Sequence, residues 1–125
     1  KMKEFAAEVF EPKNINYHFQ TENLPDIQLS ANKQYNLYLI FKEAINNIVK
    51  YAEATEVNIE ISFENSELRL FVKDNGIGFD ESLIKAGNGL GNMRKRAESL
   101  GGSITILSRV GKGSFIELKV LIKQS

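Results

Sequence analysis

The sequence predicts an α+β fold, a two-layer α/β sandwich in which a mixed, mostly antiparallel sheet carries its helices on one face. Hydrophobic periodicity is the first reason: segments of helical and strand spacing follow in the order helix, strand, helix, two strands, helix, two strands. The paired strands are the second, because runs of adjacent strands make antiparallel or mixed sheets with helices packed on one side rather than a doubly wound fold. Composition is the third. The chain has 125 residues, 42% hydrophobic and 26% charged, the make-up of a globular domain able to bury roughly two thirds of its unfolded surface. With neither an internal repeat nor a linker, residues 1–125 are expected to form a single domain.

Each element has its own signal. Phe5, Ala6, Val9 and Phe10 lie at helical spacing, and Pro12 marks a break, so residues 1–10 read as a short amphipathic helix. Ile15, Tyr17 and Phe19 alternate with Asn16, His18 and Gln20, the period of a half-buried strand at a sheet edge, before a polar loop through Pro25. Ser30 can cap a long helix whose apolar stripe is Leu37, Ile40, Phe41, Ala44, Ile45 and Ile48, ending near Tyr51 or Ala52. Val57, Ile59, Ile61 and Phe63 alternate up to Asn65-Ser66, and Leu68, Leu70 and Val72 alternate away from it, which is a hairpin. A third helix from about Asn92 to Leu100 stops at Gly101-Gly102, and strands at 103–109 and 114–122 are joined around Gly111 and Gly113.

Charge and composition exclude several function classes. Sixteen basic and sixteen acidic residues cancel, leaving no global field to hold a nucleic-acid backbone. Without cysteine there is no disulfide scaffold and no thiolate metal site. No apolar run is long enough to cross a bilayer, and KMKEFAAEVF mixes charge with apolar residues instead of building a signal-peptide core, so these residues are expected in aqueous cytoplasm.

Six of the nine glycines fall in three pairs at element junctions, Gly76/Gly78, Gly89/Gly91 and Gly111/Gly113, with Gly87 extending the second. Such loops can wrap phosphates or a purine ring with main-chain N–H groups. Tight turns would account for any one pair equally well. Their company raises the signal. Asp74 ends an apolar strand just before Gly76, and a carboxylate there, being acceptor-only, can receive the adenine exocyclic amine while repelling the guanine carbonyl. A turn-forming Asp before Asn-Gly is the plainer alternative.

On the long helix, Glu43 and Asn47 are four apart and share a face beside the apolar stripe, with Lys50 and Tyr51 one turn on. An Asn oxygen is a hard ligand suited to one position of an octahedral Mg²⁺ completed by phosphates and water. Glu43 could orient or deprotonate an attacking group, and Lys50 could meet phosphate charge. A solvated Glu-Asn-Lys face would account for the same residues.

Together these segments resemble a known family. Residues 43–51, Glu-Ala-Ile-Asn-Asn-Ile-Val-Lys-Tyr, resemble the asparagine box of the GHKL ATPases. Residues 74–79, Asp-Asn-Gly-Ile-Gly-Phe, resemble their first glycine box, and residues 87–94, Gly-Asn-Gly-Leu-Gly-Asn-Met-Arg, their second. Residues 111–114, Gly-Lys-Gly-Ser, look like the closing glycine motif. The short loop between glycine boxes and the run from Gly91 to Gly102 are similar to the ATP-binding catalytic domain of bacterial two-component sensor histidine kinases, more than to gyrase, mismatch-repair or chaperone relatives.

The resemblance implies ATP and Mg²⁺ as cofactors, with Asn47 as magnesium ligand, Glu43 as catalytic base, and Lys50 and Tyr51 as nucleotide neighbours. Asp74 would read adenine, with Gly76 and Gly78 lining its pocket and Ser114 standing where Thr is usual. Gly87, Gly89, Leu90 and Gly91 would present N–H groups to phosphates at a helix start, and residues 79–88 would be the lid. The phosphoacceptor of such kinases is a histidine on a separate helical dimerisation domain, whereas His18, the only histidine, lies in a strand and reads as structural or surface. The chain is thus expected to be a protein histidine kinase's donor domain, with residues 1–10 near its junction to that segment. Its parent is expected to be a homodimer, with or without an anchor in the inner membrane, that serves a response regulator indirectly. A GHKL serine kinase of the anti-sigma type and a degenerate protein-binding module are the alternatives.

Overall fold

The computed structural model describes residues 2–22, 29–78 and 90–122. Helix α1 (Met2–Phe10) passes through a 3-10 turn (Glu11–Lys13) into β1 (Asn16–Glu22), and α2 (Ala31–Asn47) continues as a π-helical turn (Ile48–Ala52). The hairpin β2 (Glu56–Glu64) and β3 (Glu67–Asp74) follows, then α3 (Leu90–Ser99), β4 (Gly102–Arg109) and β5 (Gly113–Leu121). The strands form one sheet in the order β1-β2-β3-β5-β4. All neighbours are antiparallel except β1 and β2, which are parallel. That exception follows from connectivity, since α2 carries the chain back along the sheet between the two strands. The mixed sheet of the expected α+β class is what forms, with β1 at an edge.

Alternation decides which side of the sheet is covered. Val57 and Ile59 of β2, Leu68, Leu70 and Val72 of β3, and Ile116, Leu118 and Val120 of β5 are buried, while their strand neighbours point outward. Against this layer pack Ile40, Phe41, Ala44, Ile45 and Ile48 from the α2 stripe, Met93, Ala97 and Leu100 from α3, and Ala6 and Phe10 from α1. The Phe41 ring meets Phe5 and Phe19 edge-on, each at a centroid distance of 6.4 Å. Full burial of each large apolar side chain stabilises the domain by roughly 1.5–3 kcal/mol. Phe41 therefore ties α1, α2 and β1 into one core.

Local signals set most boundaries. The Ser30 hydroxyl accepts from the Lys33 amide at 3.2 Å and caps α2 as expected. Asn65 and Ser66 sit at φ 53° and 62°, the left-handed pair that a two-residue hairpin turn requires. Strands β4 and β5 and the end of α3 are displaced by one residue from the sequence reading, and three other boundaries differ for a visible reason or by more. Ile15 lies before β1, its amide held by the Phe10 carbonyl at 3.1 Å. Helix α3 starts two residues early and takes in Gly91. Helix α2 does not run unbroken to Ala52: the Ile48 amide is shared between the Ala44 and Ile45 carbonyls, and the winding widens into the π turn until Glu53, at φ 51°, ends it. Among the described residues no helix is long and apolar enough to cross a membrane.

Candidate functional site

On β3 the alternation that buries Leu68, Leu70 and Val72 delivers Asp74 to the same core-facing side, where it is 3% exposed. Its neighbours in register are Val57 on β2 and Ser114 on β5. Withdrawing a carboxylate from water costs several kcal/mol unless hydrogen bonds replace the lost solvent. Two do. The Gly76 amide donates to Oδ1 at 2.8 Å and the Ser114 hydroxyl donates to Oδ2 at 2.5 Å. A carboxylate has about four acceptor positions, so this one can still receive a donor from a ligand. An apolar residue would fill the position at lower cost, and its being charged is a departure of the kind that chemistry explains.

The turn after Asp74 is seated against the end of the α2 unit. The Ile77 amide donates to the Ala52 carbonyl at 2.7 Å, and a Cβ on Gly76 would fall 2.1 Å from that same oxygen. Only glycine lets the two backbones meet so closely. On the other side, the Gly111 amide donates to the Ile77 carbonyl at 2.5 Å, which brings the β4–β5 connection against the turn. Gly78 abuts the Arg109 carbonyl in the same place. Both glycines of this turn thus have a packing reason of their own.

The polar edge of α2 carries Glu43 and Asn47, both half-buried and one helical turn apart. Asn47 is the last α-helical residue, Lys50 is exposed on the π turn, and Tyr51 lies within that turn. Single π turns inside helices recur at functional sites. The Asn47 side chain makes no hydrogen bond with the described residues, so its amide oxygen is uncommitted among them. Among the described residues no group of three His, Asp or Glu could hold a metal. An amide oxygen of this kind suits an ion whose other ligands are phosphate oxygens and water, so the donor set fits Mg²⁺ bound together with a nucleotide.

Leu90 and Gly91 form the first turn of α3, where backbone N–H groups lack helical partners and favour an anion. The helix is tied to α2 through Arg96, which donates to the Asn36 side chain at 3.0 Å. Gly87, Gly89 and the loop 79–88 expected as a lid lie outside the described residues. His18 points to the outer face of β1, 56% exposed and 3.3 Å from Glu56.

Sequence reasoning passed over Asn75. Its Oδ1 accepts from the backbone amides of Thr55 and Glu56 at 3.0 and 2.9 Å, and its Nδ2 donates to the Thr55 hydroxyl at 2.9 Å. The Asn-Gly dipeptide signals a turn, and nothing local shows a side chain reaching twenty residues back.

The family model for histidine kinase-, DNA gyrase B-, and HSP90-like ATPases matches residues 32–124. The chain is similar to the sensor histidine kinase LiaS of Bacillus subtilis, 38% identical over 101 residues that cover 80% of the chain and 28% of that protein. It is also similar to DegS, the signal transduction histidine-protein kinase/phosphatase of the same organism, with 32% identity over 85% of the chain and 29% of that protein. The nitrate/nitrite sensor protein NarQ of Escherichia coli is 35% identical over 76% of the chain and 17% of NarQ. The chain thus spans under a third of the length of these relatives. Among solved structures, the blue-light activated histidine kinase of Erythrobacter litoralis superposes with a TM-score of 0.82 at 18% identity, covering 99% of the chain and 41% of that one. The histidine kinase AdeS of Acinetobacter baumannii superposes at 0.79 and 18% identity, over 98% of the chain and 64% of that one. At these identities the superpositions speak to the fold.

Proposed function

Because the chain belongs to the histidine kinase-, DNA gyrase B-, and HSP90-like ATPase family, we propose that it binds Mg-ATP and, within a longer sensor kinase, donates the γ-phosphoryl group to a histidine on a separate dimerisation domain. The observation that carries this reading is Asp74, a carboxylate kept on the core face of β3 and aligned by the Gly76 amide and the Ser114 hydroxyl. Held so, it accepts the exocyclic amine of adenine and disfavours the carbonyl of guanine. Gly76, Gly78 and the neighbouring backbone form the wall beside it.

The phosphate end belongs to other elements. Asn47 would hold Mg²⁺ through its amide oxygen, and the ion would supply charge neutralisation for the phosphates. Lys50 and Tyr51 lie near the phosphates in this reading. The first turn of α3, with Leu90 and Gly91, and the preceding Gly87 and Gly89 supply N–H donors to them. In the transfer step an imidazole nitrogen bonds to the γ-phosphorus as the bond to the β–γ bridging oxygen breaks, and ADP leaves with that electron pair. Glu43 orients the imidazole and accepts the proton from its other nitrogen. Sensor histidine kinases among the relatives favour a histidine acceptor over serine. The parent protein's partners in this reading are its own dimerisation domain and, through the phosphohistidine, a response regulator.

Calorimetric titration of the chain with Mg-ATP, Mg-ADP and Mg-GTP tests the reading. Saturable one-site binding of the adenine nucleotides and little of GTP is expected. Equal affinity for GTP would remove the role of Asp74, and no binding of any nucleotide would sink the proposal.

A further inference from the structure

We propose that Asn75 is a positioning residue that sets the separation between the two ends of the nucleotide site, the Asp74 end and the Asn47 end; this rests on the nucleotide reading above. The two ends sit on different parts of the chain. Asp74 closes β3, whereas Asn47 closes α2 and is followed by the π turn, the left-handed Glu53 and the start of β2. A nucleotide that reaches from one to the other is bound well only if their spacing is already correct.

Two contacts fix that spacing. The Ile77 amide grips the Ala52 carbonyl at the end of the π turn. One residue before Gly76, the Asn75 side chain grips the chain just beyond that turn, accepting from the amides of both Thr55 and Glu56 and donating to the Thr55 hydroxyl, all between 2.9 and 3.0 Å. The Asn75 amide also donates to the Glu56 carbonyl at 3.2 Å. Every polar atom of the Asn75 side chain is thus aimed at the segment that leaves the Asn47 helix. These atoms have no other partner among the described residues, so the residue acts through the backbone it holds. Its bonds are exposed, and water can replace them when the side chain is removed. The expected consequence of removal is a looser site in a folded domain.

Two substitutions separate positioning from folding. Asn75→Ala removes all three side-chain bonds. Asn75→Asp keeps an oxygen for the two amides, and the Thr55 hydroxyl can turn to donate to the other. Binding of ADP to this chain is measured by calorimetry with Mg²⁺ and with EDTA, at a temperature where circular dichroism shows each variant folded. Asn75→Ala is expected to lose about tenfold in Mg-ADP affinity, the coupling typical of groups that act as a unit, and to lose less in metal-free ADP, because the Mg²⁺-dependent gain needs both ends in place. Asn75→Asp is expected to recover most of the loss. Thr55→Val, which removes only the hydroxyl end of the grip, should lose about two- to threefold, and it carries the test if Asn75→Ala does not fold.

Mg-ADP affinity within about twofold of wild type in folded Asn75→Ala, or an equal loss in Asn75→Asp and Asn75→Ala, overturns the positioning role. So does an unchanged Thr55→Val if Asn75→Ala is unfolded. A wild-type chain that binds no nucleotide is a different failure: it removes the nucleotide reading on which this role depends.

Discussion

Gly113 lies so close to Asp74 across the β3–β5 pair that a methyl group on its α-carbon would fall 2.3 Å from the Asp74 carbonyl oxygen. Gly113 is also at φ +82°. Both the contact and the backbone angle exclude a side chain, and the residue that would be displaced is Asp74, whose carboxylate is held on the buried side of β3.

Gly113→Ala is therefore expected to destabilise the domain by at least about 2 kcal/mol, combining overpacking with a left-handed alanine. Urea unfolding followed by circular dichroism measures it. Nucleotide affinity should fall with it, since β3 must shift at Asp74 to admit the methyl group. A midpoint equal to wild type would show that the strand pair yields freely at this point.

Asp74→Asn keeps an oxygen for the Gly76 amide but can present an amine where, in the proposed reading, the carboxylate accepts the adenine amine. Loss of a charge-assisted hydrogen bond corresponds to roughly 1.5–3 kcal/mol, about ten- to over a hundredfold in ATP affinity. Thermal stability should hold or rise, because a buried charge has been removed from an apolar face. Calorimetric titration and a melting curve on the same sample give both numbers; unchanged affinity would leave Asp74 a turn residue.

Asn47→Ala should leave the melting temperature near wild type, its side chain having no hydrogen bond to lose among the described residues, and should abolish most of the gain in ATP affinity on adding Mg²⁺. Titrations with Mg²⁺ and with EDTA read this directly. The same metal dependence in both proteins would mean that another group holds the ion.

For phosphoryl transfer, the chain alone should acquire no acid-labile label from γ-labelled ATP, because His18 is on the outer face of β1, but should label a supplied dimerisation segment of its parent kinase. Glu43→Ala should slow that transfer by roughly 10²- to 10⁴-fold, the span for a positioned acid or base, while sparing ATP affinity. Undiminished transfer would return Glu43 to the solvated edge of α2.

The fold was legible where signals are local. The alternation in β2 and β3, the Ser30 cap and the Asn65-Ser66 turn each depend on residues within a few positions of one another, and each predicted element is present. Asp74 could be singled out because a carboxylate ended an apolar strand just before a glycine pair. Its bond to Ser114 could not be read from spacing, since it joins residues 40 apart whose register is set only when strands pair. The π turn was invisible for a similar reason: Ala52 directs its carbonyl to Ile77, a partner on another strand's end. Asn75 was hidden by its own dipeptide, whose turn propensity is a sufficient local explanation.

The pairing of β3 with β5 has a kinetic meaning. Strands β2 and β3 form one hairpin and β4 and β5 another, each closed by a short turn, but the ladder between β3 and β5 joins the two hairpins across a long stretch of chain. Closing such a loop costs entropy that local turns do not, so the hairpins are expected to zip before they dock. Asp74 meets Ser114 only at the docking step. A nucleotide that needs this pair has no site in a chain with undocked hairpins, so its binding energy resists global unfolding in full, by about 2.7 kcal/mol at a hundredfold excess over its Kd. Slower unfolding with added nucleotide, at an unchanged folding rate, is the trace that this order of assembly leaves.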